Sequence, residues 1–291
     1  MSLQQHLATG ATTVCRCWGI FRTDDRFQGF TDHDLGISFE GLDFEATSGM
    51  TPHAIEQSTG LAVDNTSAIG VIASGAINEL DLKLGRYDGA TVKIWRVNWA
   101  DPEERSLDFV GTIGEIKVSG QKFEAELRGQ TERLNLPMGR IYQRQCDAVV
   151  GDAACGVDLT DSRFFAAGTI VEQMDASVFV VTGADDHSDG WFTRGVLRLE
   201  SGDGVGVRRT VKSDSFDERG NRIIEVWETL PITLEAGTSV TLTAGCDRRW
   251  QTCASKFDNL LNFRGFPDIP GEDWLARVPR TVDENSGGSR R

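Results

Sequence analysis

Along most of the chain, apolar and polar residues alternate with period two, the spacing of strands that present two distinct faces. In ATVKIWRVNW (Ala90 to Trp99) this sets Val92, Ile94, Arg96 and Asn98 on one face. Thr91, Lys93, Trp95, Val97 and Trp99 fall on the other. LDFVGTIGEIKVSGQKFEAELRG (Leu107 to Gly129) predicts two strands joined by a turn at Ser119-Gly120. ISFEGLDFEATSG (Ile37 to Gly49) predicts a further hairpin turning at Gly41-Leu42. Roughly the first 135 residues therefore read as mostly β. TERLNLPMGRIYQRQ interrupts the pattern, because Pro137 and Gly139 end the short helix that Thr131 would start. Period two returns in FFAAGTIVEQMDASVFVVTG, GVLRLESGDGVGVRRTVKSDS and RIIEVWETLPITLEAGTSVTLTAG. Those stretches predict about six or seven short strands in about 80 residues, enough for a compact barrel or sandwich. Helical spacing is confined to CASKFDNLLNF (Cys253 to Phe263), with Phe257, Leu260 and Leu261 on one face.

Composition narrows the class. A chain of 291 residues is long enough for two or three domains, and 39% hydrophobic with 25% charged residues is ordinary for a globular protein. No run of about 18 apolar residues predicts a membrane-spanning helix. The start, MSLQQHLATGATTVCRCWG, has no basic stretch followed by an apolar core. The expectation is therefore no secretory signal and synthesis in a reducing cytoplasm, where structural disulfides are disfavoured. With 44 acids against 30 bases the net charge is −14, which repels a phosphate backbone. A nucleic-acid-gripping module is not expected; the same field suits a wall that DNA slides past.

Six cysteines carry the most specific signal. CDAVVGDAACGVDL holds Cys146 and Cys155, and GCDRRWQTC holds Cys246 and Cys253. The predicted barrel lies between the pairs. If it is a self-contained insertion, its ends emerge together and all four thiols meet. Four converging cytoplasmic thiols without a histidine point to a metal centre. Zinc knuckles use closer spacings, whereas these wider ones suit the corners of a 4Fe-4S cube; both metals stay open here. Two disulfides or four unrelated buried thiols are the bland alternatives. Cys15 and Cys17 share one side of a predicted strand and read as buried free thiols.

Other motifs are weaker. Asp32, His33 and Asp34 in FTDHDLG could serve acid–base or metal chemistry, but a polar strand end offers the same residues. GDGVG (Gly202 to Gly206) sits between two strands and reads as a hairpin turn, not a phosphate cradle. RGFPDIPGEDW (Arg264 to Trp274) should be stiff, either covering the thiol site or serving as an interface strap. The end, DENSGGSRR, has the composition of a flexible tail. No catalytic signature for hydrolysis or nucleotide binding occurs.

CDAVVGDAACGVDL followed, after the β insertion, by GCDRRWQTCASKFDNLLNFRGFPDIPG resembles a phage-tail family. Its members include the hub (baseplate) proteins of alphaproteobacterial gene transfer agents and related prophages. GFTDHDLGISFEG, GLAVDNTSAIGVIASGAINELDL, GRYDGATVKIWRVNWADP and GTIGEIKVSGQKFEAELRG look like the same family, so the resemblance covers nearly the whole chain. The four-cysteine arrangement is also similar to the iron–sulfur domain of lambdoid tail-tip proteins, which lacks the long insertion. The resemblance implies a mainly β protein with an antiparallel hub domain over residues 1–140. It implies a four-cysteine domain with one short helix over 141–165 and 243–282, an inserted barrel-like domain over 166–242, and a tail over 283–291. It implies Cys146, Cys155, Cys246 and Cys253 as ligands of a structural 4Fe-4S cluster, with zinc as the alternative. It further implies a non-enzymatic homotrimeric ring at the tail tip, between a distal tail ring and a fibre or penetration protein. DNA would pass through without specific binding, and the chain would not insert in a membrane. A tail-associated cell-wall hydrolase using Asp32, His33 or Asp34 is the alternative of a different class.

Overall fold

The computed structural model describes residues 3–46, 50–52, 65–71, 77–119, 122–130, 132 and 139–269. The chain divides into two compact units, Met1–Pro137 and Met138–Arg291. The short helix expected at Thr131, the segment Pro270–Trp274 and the tail over 283–291 lie outside the described residues.

The first unit carries β1 (Val14–Phe21), β2 (Phe27–Thr31), β3 (Ile37–Phe39), β4 (Leu42–Ala46), β5 (Met50–Pro52), β6 (Asn65–Val71), β7 (Thr91–Asn98), β8 (Arg105–Ser119) and β9 (Lys122–Gly129). They form one sheet in the order β3-β4-β2-β1-β7-β8-β9-β6-β5. Neighbours are antiparallel except β2 and β4. Alternation places Trp18, Ile20, Val92 and Ile94 in one core and Cys15, Cys17, Trp95 and Val97 in another, on the opposite face. Both faces are thus covered, and five of the eight residues of β7 are buried, none fully exposed. β8 accommodates an extra residue, Asp108, between the pairs Ile94–Phe109 and Trp95–Leu107. Asp108 bonds Arg96 at 2.7 Å.

Two details differ from the sequence reading. The β3–β4 hairpin turns at Glu40-Gly41, one residue earlier than expected, because Phe39 pairs with Leu42. Both turn residues have positive φ, 52° and 73°, as a two-residue turn matched to strand twist requires. Two short helices, α1 (Leu3–Leu7) and α2 (Glu79–Lys83), also stand where no helix was expected. Asn78 caps α2 through its side-chain oxygen, and buried Arg22, the residue after β1, bonds Asp81 of that helix at 2.8 Å.

The second unit contains β10 (Phe165–Gln173), β11 (Val178–Thr182), β12 (Val196–Leu199), β13 (Arg208–Phe216), β14 (Arg222–Val226) and β15 (Ser239–Thr243). They close into a barrel in the order β10-β11-β14-β13-β12-β15. Its interior is mostly apolar, with Ile170, Phe179, Val181, Leu197, Leu199, Val211, Ile224 and Leu242 fully buried beside the buried pair Arg222 and Asp214. Gly202 to Gly206 lie in the β12–β13 connection, as expected of a turn. The first and last strands pair with each other, Phe165 opposite Thr243. Both chain ends therefore leave the barrel at one place, toward the two cysteine segments.

The helix near the second cysteine pair differs from its expected position. It is α3 (Trp250–Phe257), and Asp258 ends it by adopting a left-handed φ of 48°. A 3-10 turn follows at Leu260–Asn262. Phe257 is buried as expected, but Leu260 and Leu261 are exposed, because the Asp258 reversal turns them outward.

Candidate metal centre

The segment after Cys146 folds around one carboxylate. Asp152 accepts the Val149 N–H at 2.9 Å on one oxygen and the N–H groups of Ala154 and Cys155 at 2.9 and 2.6 Å on the other. Those backbone donors, Val149 first, hold its pKa below the usual carboxylate range. The loop is thereby wound tightly enough to bring Cys155 back toward Cys146. The Cys146 N–H donates to the carbonyl of Arg248 at 2.9 Å, which joins the first pair to the second. Cys246 stands three residues past the end of β15, and Cys253 is carried by α3.

All four thiols line a single cavity, walled by Ala148, Val150, Val157, Phe257 and Phe263. Arg248 and Arg249 stand at its edge. All six cysteines are free thiols in this structure. Among the described residues, no three His, Cys, Asp or Glu side chains are placed to hold one metal ion. Three of the four sulfurs face N–H donors: Cys246 from Arg248 N at 3.3 Å, Cys146 from Arg264 N at 3.4 Å, and Cys155 from Asn259 Nδ2 at 3.6 Å. Cys253 instead donates to the Asn259 carbonyl at 3.3 Å. Burial, then the charge of the other three thiols, pushes the Cys253 thiol up to about 11, and burial raises Cys246 too. Any metal that binds here must displace protons from these sulfurs.

Residues 1–158 match the family model described as the baseplate hub protein, N-terminal attachment domain. The chain belongs to the baseplate hub protein family. Residues 190–273 of the hub chain match a second model, the phage conserved hypothetical protein BR0599. Among solved structures, a chain from the virion of a native gene transfer agent particle is 45% identical to the hub chain. That match covers 99% of each chain with a TM-score of 0.90. No curated protein matches it. Among the described residues, no helix is long and apolar enough to cross a membrane.

In the hub chain the proline-rich segment packs against the start of the cysteine domain. Phe266 N–H donates to Gln143 O at 2.9 Å, Arg140 Nη2 to Arg264 O at 2.6 Å, and Arg144 Nε to Ile269 O at 2.7 Å. The rings of Tyr142 and Phe266 lie 4.5 Å apart. Gly265 permits this approach, since a Cβ there would sit 2.5 Å from the Arg144 carbonyl. Up to Ile269, then, the segment packs on residues 140–144 and reaches the thiol site through the Arg264 N–H on the Cys146 sulfur.

The remaining candidates do not join this centre. Cys15 and Cys17 are buried in the first unit, as expected. Asp32 accepts the Arg16 N–H at 2.6 Å, and Nδ1 of His33 bonds the backbone of Leu35. The His33 ring also lies 5.1 Å from that of Trp99, so Asp32 and His33 are engaged in shaping a strand-end turn.

Four contributors were not visible in the cysteine spacing: Asp152, Asn259, Lys256 and Arg264. Lys256 Nζ donates to the carbonyls of Trp191 and Gly245 at 2.5 and 2.8 Å, fastening α3 to the barrel exit. Burial pushes its pKa down to about 8. A fixed aspartate between two closely spaced cysteines, and an asparagine just past a helix end, were the available signals for the first two.

Proposed function

We propose that the hub protein is a non-enzymatic tail-tip component of a phage-like or gene-transfer particle, stapled by a 4Fe-4S cluster on Cys146, Cys155, Cys246 and Cys253. The full-length match to a gene transfer agent virion chain carries the structural role. Four thiols lining one cavity support a metal group, and their spacing in the sequence, wider than zinc knuckles use, favours a cluster over zinc. When bound, the cluster supplies iron–thiolate bonds that cross-link the barrel's two exits. The chain's own residues fit that negative group. Backbone N–H groups of Arg248 and Arg264 and the side chain of Asn259 point at sulfurs, and Arg248 and Arg249 edge the cavity. The hub acts as a homotrimer around the DNA path, joined to a distal tail ring and to a fibre or penetration protein. Its excess of acids keeps DNA from adhering.

Anaerobic purification tests the cluster. About four irons and four sulfides per chain, with absorbance near roughly 400 nm that is lost in Cys146→Ser, is the expected result. One zinc per chain and no sulfide would overturn the cluster while leaving the hub role intact. For the role itself, particles lacking this chain should assemble tails without a tip and fail to deliver DNA; normal delivery would refute it.

A further inference from the structure

We propose that Asn259 is the positioning residue that couples the two cysteine pairs into one site and tunes the group they hold. Its hydrogen bonds run to both pairs. Nδ2 donates to the Cys155 carbonyl at 2.6 Å and lies 3.6 Å from the Cys155 sulfur. Oδ1 accepts from Asn262 Nδ2 at 2.7 Å, which fixes the amide's orientation. The backbone N–H donates to the Cys253 carbonyl at 3.1 Å. The backbone carbonyl accepts both the Cys253 thiol at 3.3 Å and the Asn262 N–H at 3.1 Å. The left-handed Asp258 makes this possible, because it folds the chain back over the last turn of α3. One residue thus holds a sulfur-bearing loop of the first pair and the sulfur-bearing helix of the second.

Asparagine is the side chain this place requires. Aspartate has the same shape but no N–H, and it would aim negative charge at a sulfur that becomes a thiolate on ligation. Leucine keeps the bulk and drops every side-chain hydrogen bond. The two contacts to sulfur respond oppositely to ligation. Cys253 loses its proton and with it the bond to the Asn259 carbonyl. The N–H directed at Cys155 is strengthened as that sulfur gains charge. An N–H to a ligand sulfur stabilises the more negative, reduced state, so its removal lowers the reduction potential.

The test has two arms, of which only the second rests on the cluster reading. In the metal-free chain, iodoacetamide labelling followed by mass spectrometry reads each thiol separately. Asn259→Leu should label both Cys155 and Cys253 about threefold faster, with Cys246 unchanged. Acceleration at neither thiol, or at only one, overturns the coupling. In the cluster-loaded chain, Asn259→Leu should lower the one-electron reduction constant about threefold, roughly 28 mV, and Asn259→Asp should lower it further. An unchanged potential in both variants overturns the tuning. A wild-type chain that takes up no iron and sulfide refutes the cluster, and the labelling arm still decides the role of Asn259. Matching circular dichroism of wild type and variants shows that the comparison is between folded chains.

Discussion

Replacing Arg222 with methionine should loosen the barrel and, through it, the four-thiol site. Arg222 and Asp214 are an ion pair with both side chains fully buried, Nη1 lying 2.6 and 2.7 Å from the two carboxylate oxygens. The guanidinium sits between Phe192 and Phe216, 5.0 and 4.3 Å from their ring centres, and Nη2 donates to the carbonyls of His187 and Ser188. Asp214 also accepts the Phe192 N–H at 2.8 Å. Methionine fills most of the volume but leaves a buried carboxylate opposite an apolar chain and frees the 187–188 carbonyls. Removing one member of a buried pair costs about 3–5 kcal/mol. For a chain of this size that corresponds to a fall in melting temperature of roughly 6–20 °C. The assay is thermal unfolding of the full metal-free chain, followed by circular dichroism and calorimetry. Arg222→Met with Asp214→Leu should recover most of the loss, because the double replacement leaves no unpaired buried charge. A single-variant loss below about 1 kcal/mol, or a double variant no better than the single, would refute the reasoning.

Two further outcomes follow from the site. Gly265→Ala should dislodge the proline-rich segment, since its Cβ would meet the Arg144 carbonyl at 2.5 Å. Faster hydrogen exchange at the Phe266 amide and faster metal loss to a chelator are expected, and wild-type values for both would count against that packing. Stability of the metal-free chain should rise between about pH 8 and 9, by on the order of 1 kcal/mol. Lys256 is pushed down from 10.5 to about 8, so above pH 8 the unfolded chain binds more protons than the folded one, and stability increases. Cys253, pushed up from 9.0 to about 11, holds its proton longer in the fold and opposes that rise above pH 9, so that on its own it would make stability fall. Lys256→Met should abolish the rise while keeping the fall; a rise that persists refutes the assignment.

The mainly β architecture was legible because period-two alternation is a property of neighbouring residues. β7 illustrates both the reach and the limit of that signal: its faces were assigned correctly, but burial of both required knowing that β3, β4 and α2 lie nearby. The four thiols were legible as a set because their spacing brackets a β stretch of domain size. Asn259 was not, since its role depends on the αL reversal at Asp258, and the helical spacing of Phe257, Leu260 and Leu261 argued for a helix running on through it. Asp152 likewise acts through backbone N–H groups, which leave no trace in residue type beyond the aspartate itself. The hairpin at Glu40-Gly41 was displaced by one because Gly41 could have occupied either turn position.

The position of the barrel in the chain has an energetic consequence for the centre. Cys155 and Cys246 are 91 positions apart, and bringing them together in an unfolded chain means closing a loop of that length. Once Phe165 pairs with Thr243, only ten positions on one side and three on the other still separate the two cysteines. On the logarithmic dependence of closure entropy, the shorter connection lowers the cost by roughly 1.7 kcal/mol. Folding the barrel first therefore improves the assembly of the thiols by more than tenfold, and the proposed cluster, once bound, would return the same coupling to the barrel. Damage at Arg222, remote in sequence from every cysteine, should accordingly weaken metal retention, and metal removal should lower the barrel's melting temperature. A barrel whose melting is indifferent to metal would mean that the insertion is carried by the site without supporting it.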